Sequence, residues 1–465
     1  MRPPLVIFGL LLLGLVFYLV LYREELKGGL PHLKQLLIIT EKTPFLTPKL
    51  ERHDRNITIM KWLNPKMFTE IYVLSAYYDD RPTLDPKTKP VVRIIGVADK
   101  GTIEDRGEKL FCIVWHDVSH DSVLIEMEVT HLGSGAYSHG RYFRQYIFIC
   151  PLTNITIIKP STISVTDGLF HKQFDWKLMK KVFPRIPVRY PEKPTKKMDF
   201  GQCTSITYWT VDPYRVVEWA ELHRIWGVKE MNIYGSMVSE KTEKVFRHYH
   251  QEGFLTYTIV ERPMNQTDEA IFFLMSSPVI NDCIYRNMYR YNKIIVVDLD
   301  EMIVPRGNLS NYPQLLDAIE SSVETRHPYR MYNFRNLYFF FELPQNEKYP
   351  VQLRTLRQIG RLRDITPYGT ATKSIIDPMA CTNMHNHFCW RLTKLSDTHG
   401  HSIDVHPGFG LNQHYKKCHF DQYMVTYNLP PCKEALKNFS VDYTMLHYKD
   451  LLLPNVESQW IKLGL

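Results

Sequence analysis

The sequence has no long block of lysine and arginine, no low-complexity tract and no repeat at a fixed period. The net charge of +8 is spread along 465 residues, which argues against a nucleic-acid binder. The absence of a repeat argues against a solenoid. None of the eight cysteines forms a C-x-x-C, which sets aside zinc ribbons and thioredoxin-type sites. G-x-x-x-x-G-K-[ST] is also missing, so no P-loop is there to hold phosphates.

The composition that remains is globular, 44% hydrophobic and 23% charged. The chain is too long for one core, and two folded domains plus a tail are expected. Residues 1–4 read as a cytoplasmic tail. Leu5 to Tyr22, "LVIFGLLLLGLVFYLVLY", is uncharged and would span about 27 Å as a helix, close to a hydrocarbon core. A cleaved signal peptide is the competing reading. The run is long for one, however, and "REELKGGL" after it is a poor cleavage site, so an uncleaved signal anchor is expected. Flanking charge barely decides its orientation. Five N-x-[ST] sequons, at Asn56, Asn154, Asn265, Asn308 and Asn438, all follow the span and point to a lumenal body. The even cysteine count fits an oxidising lumen, though the pairing is not readable and Cys283, on a predicted helix, could equally be a buried thiol.

Residues 23–70 carry Pro, Lys and Thr without periodicity and read as a stem. Residues 71–190 hold short β runs such as "IYVLSAYYD", "VVRIIGVAD" and "QYIFIC", which predict an antiparallel sandwich. A Pro- and Lys-rich linker over 191–200 follows. From 201 to 465 strands alternate with helices. "DPYRVVEWAELHRIWG" is a helix with Asp212 as N-cap and Gly227 as stop. This pattern predicts a mainly parallel, nucleotide-binding α/β sheet, whose ligands bind beyond the carboxyl ends of the strands.

One such strand is "YNKIIVVDLDEMIVP", which ends in Asp298, Asp300 and Glu301. Two carboxylates at D-x-D spacing repel unless a proton or cation intervenes, and hard oxygen donors suit Mg²⁺ or Mn²⁺. Exposed acids capping a strand would look the same. So would the strand of an aspartyl-phosphate phosphatase, but that strand belongs near the start of its domain. A Walker B strand would need the missing P-loop. A nucleotide-sugar glycosyltransferase accounts for the acids together with the anchor, stem, sequons and cysteines.

The stretch Ile280 to Pro305, with "VEWAELHRIWGVKEMNIYG" before it and "KSII", the His385 region and "LHY" after it, resembles glycosyltransferase family 92 over roughly residues 200–450. The resemblance implies a single-pass type II Golgi membrane protein with a GT-A-like catalytic domain. The implied reaction is inverting transfer of galactose from UDP-galactose to O4 of a β-galactoside, or a related sugar, on a glycoprotein or glycolipid. A carbohydrate-binding sandwich fits residues 71–190. Carried over by position, Asp298 contacts ribose or metal, Asp300 ligates Mn²⁺ (or Mg²⁺), and Glu301 orients its neighbours. His447 is the candidate third metal ligand. His385, His387, His406 and His414 read equally well as packed or surface histidines. Asp282 and Arg286 become donor contacts, although an ordinary i,i+4 ion pair explains their spacing too. Lys373 would hold phosphate or a structural carboxylate. An inverting enzyme needs a base on the acceptor side, and Glu342 and Asp364 are candidates. The rival from another class is an inactive, lectin-like membrane protein. The sequence does not give the oligomeric state.

Overall fold

A computed structural model describes residues 57–65, 69–84, 89–115, 122–132, 143–153, 159–168, 183–264, 269–323, 329–393, 402–418 and 430–465. The expected tail, the membrane span, most of the stem and the sequons at Asn56, Asn154 and Asn265 lie outside the described residues. Among the described residues no helix is long and apolar enough to cross a membrane.

The central sheet contains β1 (Thr58–Met60), β2 (Met198–Trp209), β3 (Glu230–Val238), β4 (Leu255–Val260), β5 (Tyr291–Val296), β7 (Met331–Phe334), β9 (Lys373–Ile376) and β12 (Ser402–Asp404). Its order is β1-β4-β3-β2-β5-β9-β7-β12. The run β1-β4-β3-β2-β5 is parallel throughout, and β9 enters antiparallel between β5 and β7. The crossovers are helices α1 (Pro213–Ile225), α2 (Glu240–Gln251) and α3 (Glu269–Asn287). Asp212 caps α1 by accepting the Tyr214 N–H at 3.0 Å, and Gly227 follows the helix at φ 101°, a conformation that favours glycine.

The apolar strand ending in the acids is buried on both faces, as a parallel sheet covered by helices requires. Ile295 and Val297 join a core with Trp219, Trp226, Phe246 and Tyr312, whereas Ile294 and Val296 face Phe272, Met275 and Cys283 on α3. A second, three-stranded sheet, β6 (Glu301–Pro305), β13 (Gly410–Lys416) and β8 (Asn336–Phe340), leaves the first at the acids.

The stem boundary differs from expectation. Thr58–Met60 pairs with Thr258–Val260, so the chain contributes the edge strand β1 to this sheet before it builds the β domain. The linker also ends earlier than 200, because β2 starts at Met198. Short polar-flanked strands such as Thr58–Met60 carry too little periodicity to be read alone.

The expected sandwich is one eight-stranded sheet in the order Ser122–Glu126, Leu110–Trp115, Thr162–Asp167, Ile186–Arg189, Ile71–Asp79, Val91–Asp99, Phe143–Pro151 and Glu128–His131. The Cys112–Cys150 disulfide joins its second and seventh strands, so the sheet folds over into two layers around Val92, Ile94, Val114, Phe148 and Val165. It packs on α3 through Tyr77, Ile95, Ile147, Tyr285 and Met288.

The other disulfides are Cys203–Cys283, Cys381–Cys389 and Cys418–Cys432, and no cysteine is free. Cys283 is therefore bridged to β2 rather than a buried thiol. Thiol titration of the denatured, unreduced protein should find no free thiol. A count of two per chain would show that one bridge is open.

Candidate active site at the end of β5

After Val296 the chain turns before β6 begins. The Glu301 N–H donates to the Asp298 carbonyl at 3.1 Å, and the Asp298 N–H donates to Glu301 Oε2 at 3.3 Å. The D-x-D pair thus sits on a turn, not on extended strand. One oxygen of each of Asp298, Asp300 and Glu301 lies within 4.8 Å of the others. This group can hold a metal ion.

Lys373 and His414 interleave the acids. Lys373, at the start of β9 and 1% exposed, donates to Asp298 Oδ2 at 2.7 Å and Glu301 Oε2 at 2.8 Å. Its third donor goes to the Asn386 carbonyl at 2.8 Å. His414 on β13 places Nε2 3.1 Å from Asp300 Oδ2 and Nδ1 3.2 Å from Glu301 Oε1. Ser205 on β2 donates to Asp298 Oδ1, and Asn412 donates to Glu301 Oε1 at 3.4 Å.

Burial opposes every charge here, and the neighbours decide the outcome. Lys373 overcomes it at Asp298, which stays below the ordinary carboxylate value. His414, with Arg215 and Lys416 behind it, holds Asp300 far below that value. Glu301 is the most enclosed, and burial pushes it up despite Lys373 and His414. Burial would lower Lys373, but Asp298 and Glu301 hold it above the usual amine value.

Both oxygens of Glu301 are already engaged, so it orients its neighbours and is the poorest ligand of the three. Asp298 and Asp300 remain partly exposed at 28% and 37%. Their hard oxygen donors fit Mg²⁺ or Mn²⁺, and the His414 nitrogen lies close enough to Asp300 for both to share one ion.

His447 is not in this group. It lies on the 3-10 turn Thr444–Tyr448, where Tyr448 packs on Trp226 and reaches the Pro305 carbonyl at the far end of β6. The histidine that touches Asp300 is instead His414. Strand alternation was the missed signal: "NQHYK" puts Asn412, His414 and Lys416 on one side, toward the acids. Ser205 gave no signal beyond its strand.

Asp282 and Arg286 do meet, at 2.7 Å, but in a separate buried cluster. Asp282 also accepts from Tyr77 at 2.7 Å, Tyr234 at 2.7 Å and Arg189 at 3.1 Å, so its donors come partly from the β domain. Burial opposes its charge, yet Arg286 and Arg189 keep it below the ordinary value. The i,i+4 ion pair is therefore the arrangement observed, and neither residue touches the acids.

Glu342 is exposed just beyond β8 and accepts from the Cys418 N–H at 3.1 Å. Tyr338 on β8 is level with His414, and Glu342 follows it by four residues, up to roughly 13 Å further along the chain. Asp364 instead accepts from Asn438 at 2.9 Å beside a peripheral two-stranded sheet. Asn308 and Asn438, the two described sequons, are both exposed. His385 and His387 lie on the turn of a hairpin closed by the Cys381–Cys389 disulfide, and both are buried.

A mixed α/β domain with an acidic metal-capable cluster at a strand end defines a class that includes sugar-transfer enzymes. The family model for glycosyltransferase family 92 matches residues 198–451, and the chain belongs to that family. No curated protein matches it. Among solved structures it is similar to HddC from Yersinia pseudotuberculosis, at 12% identity and a TM-score of 0.21, over 50% of this chain and 98% of that one. It is also similar to a ferredoxin-NADP+ reductase from Plasmodium falciparum with 2'P-AMP, at 11% identity and a TM-score of 0.11, over 48% of this chain and 86% of that one. Likenesses this slight carry no argument.

Proposed function

We propose that this glycosyltransferase is inverting, with a GT-A-like catalytic domain, and transfers galactose from UDP-galactose to O4 of a β-galactoside or related sugar on a glycan. The observation that carries the proposal is the Asp298–Asp300 pair at the carboxyl end of β5, in a chain of family 92. A divalent cation held by Asp298 and Asp300, with His414 beside them, would offset the charge of the diphosphate leaving group. Glu301 fixes the turn, Lys373 holds the structural carboxylates Asp298 and Glu301 in place, and Ser205 orients Asp298. Glu342 is preferred to Asp364 as the base that takes the acceptor hydroxyl proton, because it follows β8, a strand of the sheet that carries Glu301 and His414, whereas Asp364 lies beside a separate two-stranded sheet. No observation favours the inactive, lectin-like alternative.

The proposed setting is the Golgi membrane, with the body lumenal. Expressed in animal cells, the full chain should resist carbonate extraction, and glycan should be found on Asn308 and Asn438. A protein released by carbonate and insensitive to endoglycosidase would overturn that setting. For the chemistry, the protein is incubated with a panel of UDP-sugars and β-galactosides, with Mn²⁺ or with chelator. Transfer of galactose that chelator abolishes is expected. Transfer unaffected by chelator would remove the metal from the proposal, and preference for another sugar would correct the donor.

A further inference from the structure

The hairpin β10 (Cys381–Met384) and β11 (Cys389–Leu392) belongs to neither large sheet. Two strands alone are marginally stable in water. Its turn nevertheless reaches the acidic site: the Asn386 carbonyl accepts from Lys373 at 2.8 Å, and the His387 carbonyl accepts from Ser374 at 2.8 Å. Lys373 thereby has three acceptors for its three N–H groups, two carboxylates and one hairpin carbonyl.

Side chains of the β domain hold the base of this hairpin. Arg81, fully buried, donates to the carbonyls of Pro378 at 3.0 Å and Cys381 at 2.7 Å. Thr83 donates to the Met379 carbonyl at 2.6 Å. Asn383 of the hairpin donates to Thr130 at 2.9 Å and to the His131 carbonyl at 3.0 Å. Asp79 fixes the Arg81 guanidinium through two bonds of 2.8 Å and also pairs with Arg93 at 2.7 Å. A guanidinium presents its donors in a rigid fork, which a flexible amine does not reproduce.

We infer that Arg81 is a positioning residue for Lys373, and that the β domain completes the active site by holding the hairpin that presents the Asn386 carbonyl. This rests on the transfer reaction proposed above for the kinetic readout, but not for the structural one. Without the clamp, the hairpin turn moves and Lys373 loses one of its three acceptors. The ammonium then redistributes over the carboxylates that would hold the metal.

The test uses the full-length protein and the variants Arg81→Met and Thr83→Val, the latter a milder, shape-conserving change should the first not fold. Hydrogen exchange is measured on peptides covering 380–393, and galactose transfer is measured well below the melting temperature. Faster exchange at the hairpin is expected in both variants. Transfer should fall about 10–100-fold in Arg81→Met, the scale of a misplaced catalytic constellation. Combined with Lys373→Met, Arg81→Met should add little further loss, because both changes act on one group. Val165→Ala, in the core of the β domain, is the control for simple destabilisation and should leave both readouts at wild-type levels. Unchanged exchange at the hairpin in Thr83→Val and in any folded Arg81→Met would overturn the clamp. Losses of transfer that multiply with those of Lys373→Met would overturn action through Lys373. If wild type transfers no sugar, the proposed reaction fails instead, and the exchange result still decides the clamp.

Discussion

Asp300→Asn should cost at least about 10²–10³-fold in transfer while leaving the protein folded. The substitution keeps the shape and removes the charge, so it separates a ligand from a spacer. Considered as a bare D-x-D pair, the acids repel, and removing one should relieve strain. The structure reverses that expectation. His414 faces Asp300 at 3.1 Å, and its neighbours hold the carboxyl well below its ordinary value. A carboxyl depressed in the folded state stabilises above its unfolded pKa, and that contribution fades as pH falls toward the folded one. Asp300→Asn should therefore be slightly less stable than wild type at pH 7, by no more than about 1 kcal/mol for a pair this exposed. The gap should close on acidification below about pH 4. Melting curves between pH 3 and 7, with and without Mn²⁺ and UDP, measure both effects. Near-normal transfer together with retained Mn²⁺-dependent stabilisation would mean that Asp300 is not a ligand.

Lys373→Met should lose transfer and stability together. Lys373 and Glu301 are both almost wholly enclosed, and the ammonium is what makes two nearby carboxylates tolerable. Removing one member of such a buried set typically costs about 3–5 kcal/mol, because the remaining charge has no partner. The cost should depend on pH in the same sense as that of Asp300→Asn, growing as pH rises, but over a higher pH range. Burial already pushes Glu301 up, so without Lys373 it takes a proton more readily, and acid relieves the variant. The difference in melting temperature from wild type should widen from pH 5 to pH 8. Adding Glu301→Gln should recover much of the stability and none of the transfer. Wild-type stability for Lys373→Met at pH 8 would show that the ammonium is not compensating these acids.

Much of this site was legible because charge at the end of an apolar run is locally anomalous. The run Tyr291 to Val296 needs two covered faces, and Asp298 to Glu301 cannot join it. The acids and the alternation of strands and helices follow from patterns within a few residues, whereas Lys373 beside a carboxylate 75 residues away was implied only by the family resemblance. What the pattern missed is long-range. His414 meets Asp300 only because β13 pairs with β6: alternation in "NQHYK" marks the strand face it lies on, but not which element that face meets. Asp282 and Arg286 have ideal helical spacing, yet their partners Tyr77 and Arg189 come from another domain. Spacing predicts that two side chains meet, but not what else meets them.

The edge strand β1 has a consequence for how this chain is made. Thr58 lies opposite Thr258, so the strand is synthesised some 200 residues before its partner. Until β4 emerges, Thr58–Met60 has no ladder, and until the two pair, the outer edge of β4 is an open template for other chains. Non-local pairing of this kind slows folding and prolongs that exposure. A truncation that starts after residue 60, however sensible it looks from the domain pattern, would make the exposure permanent. Such a fragment should be recovered mainly as aggregate, whereas one starting before Ile57 should remain in solution.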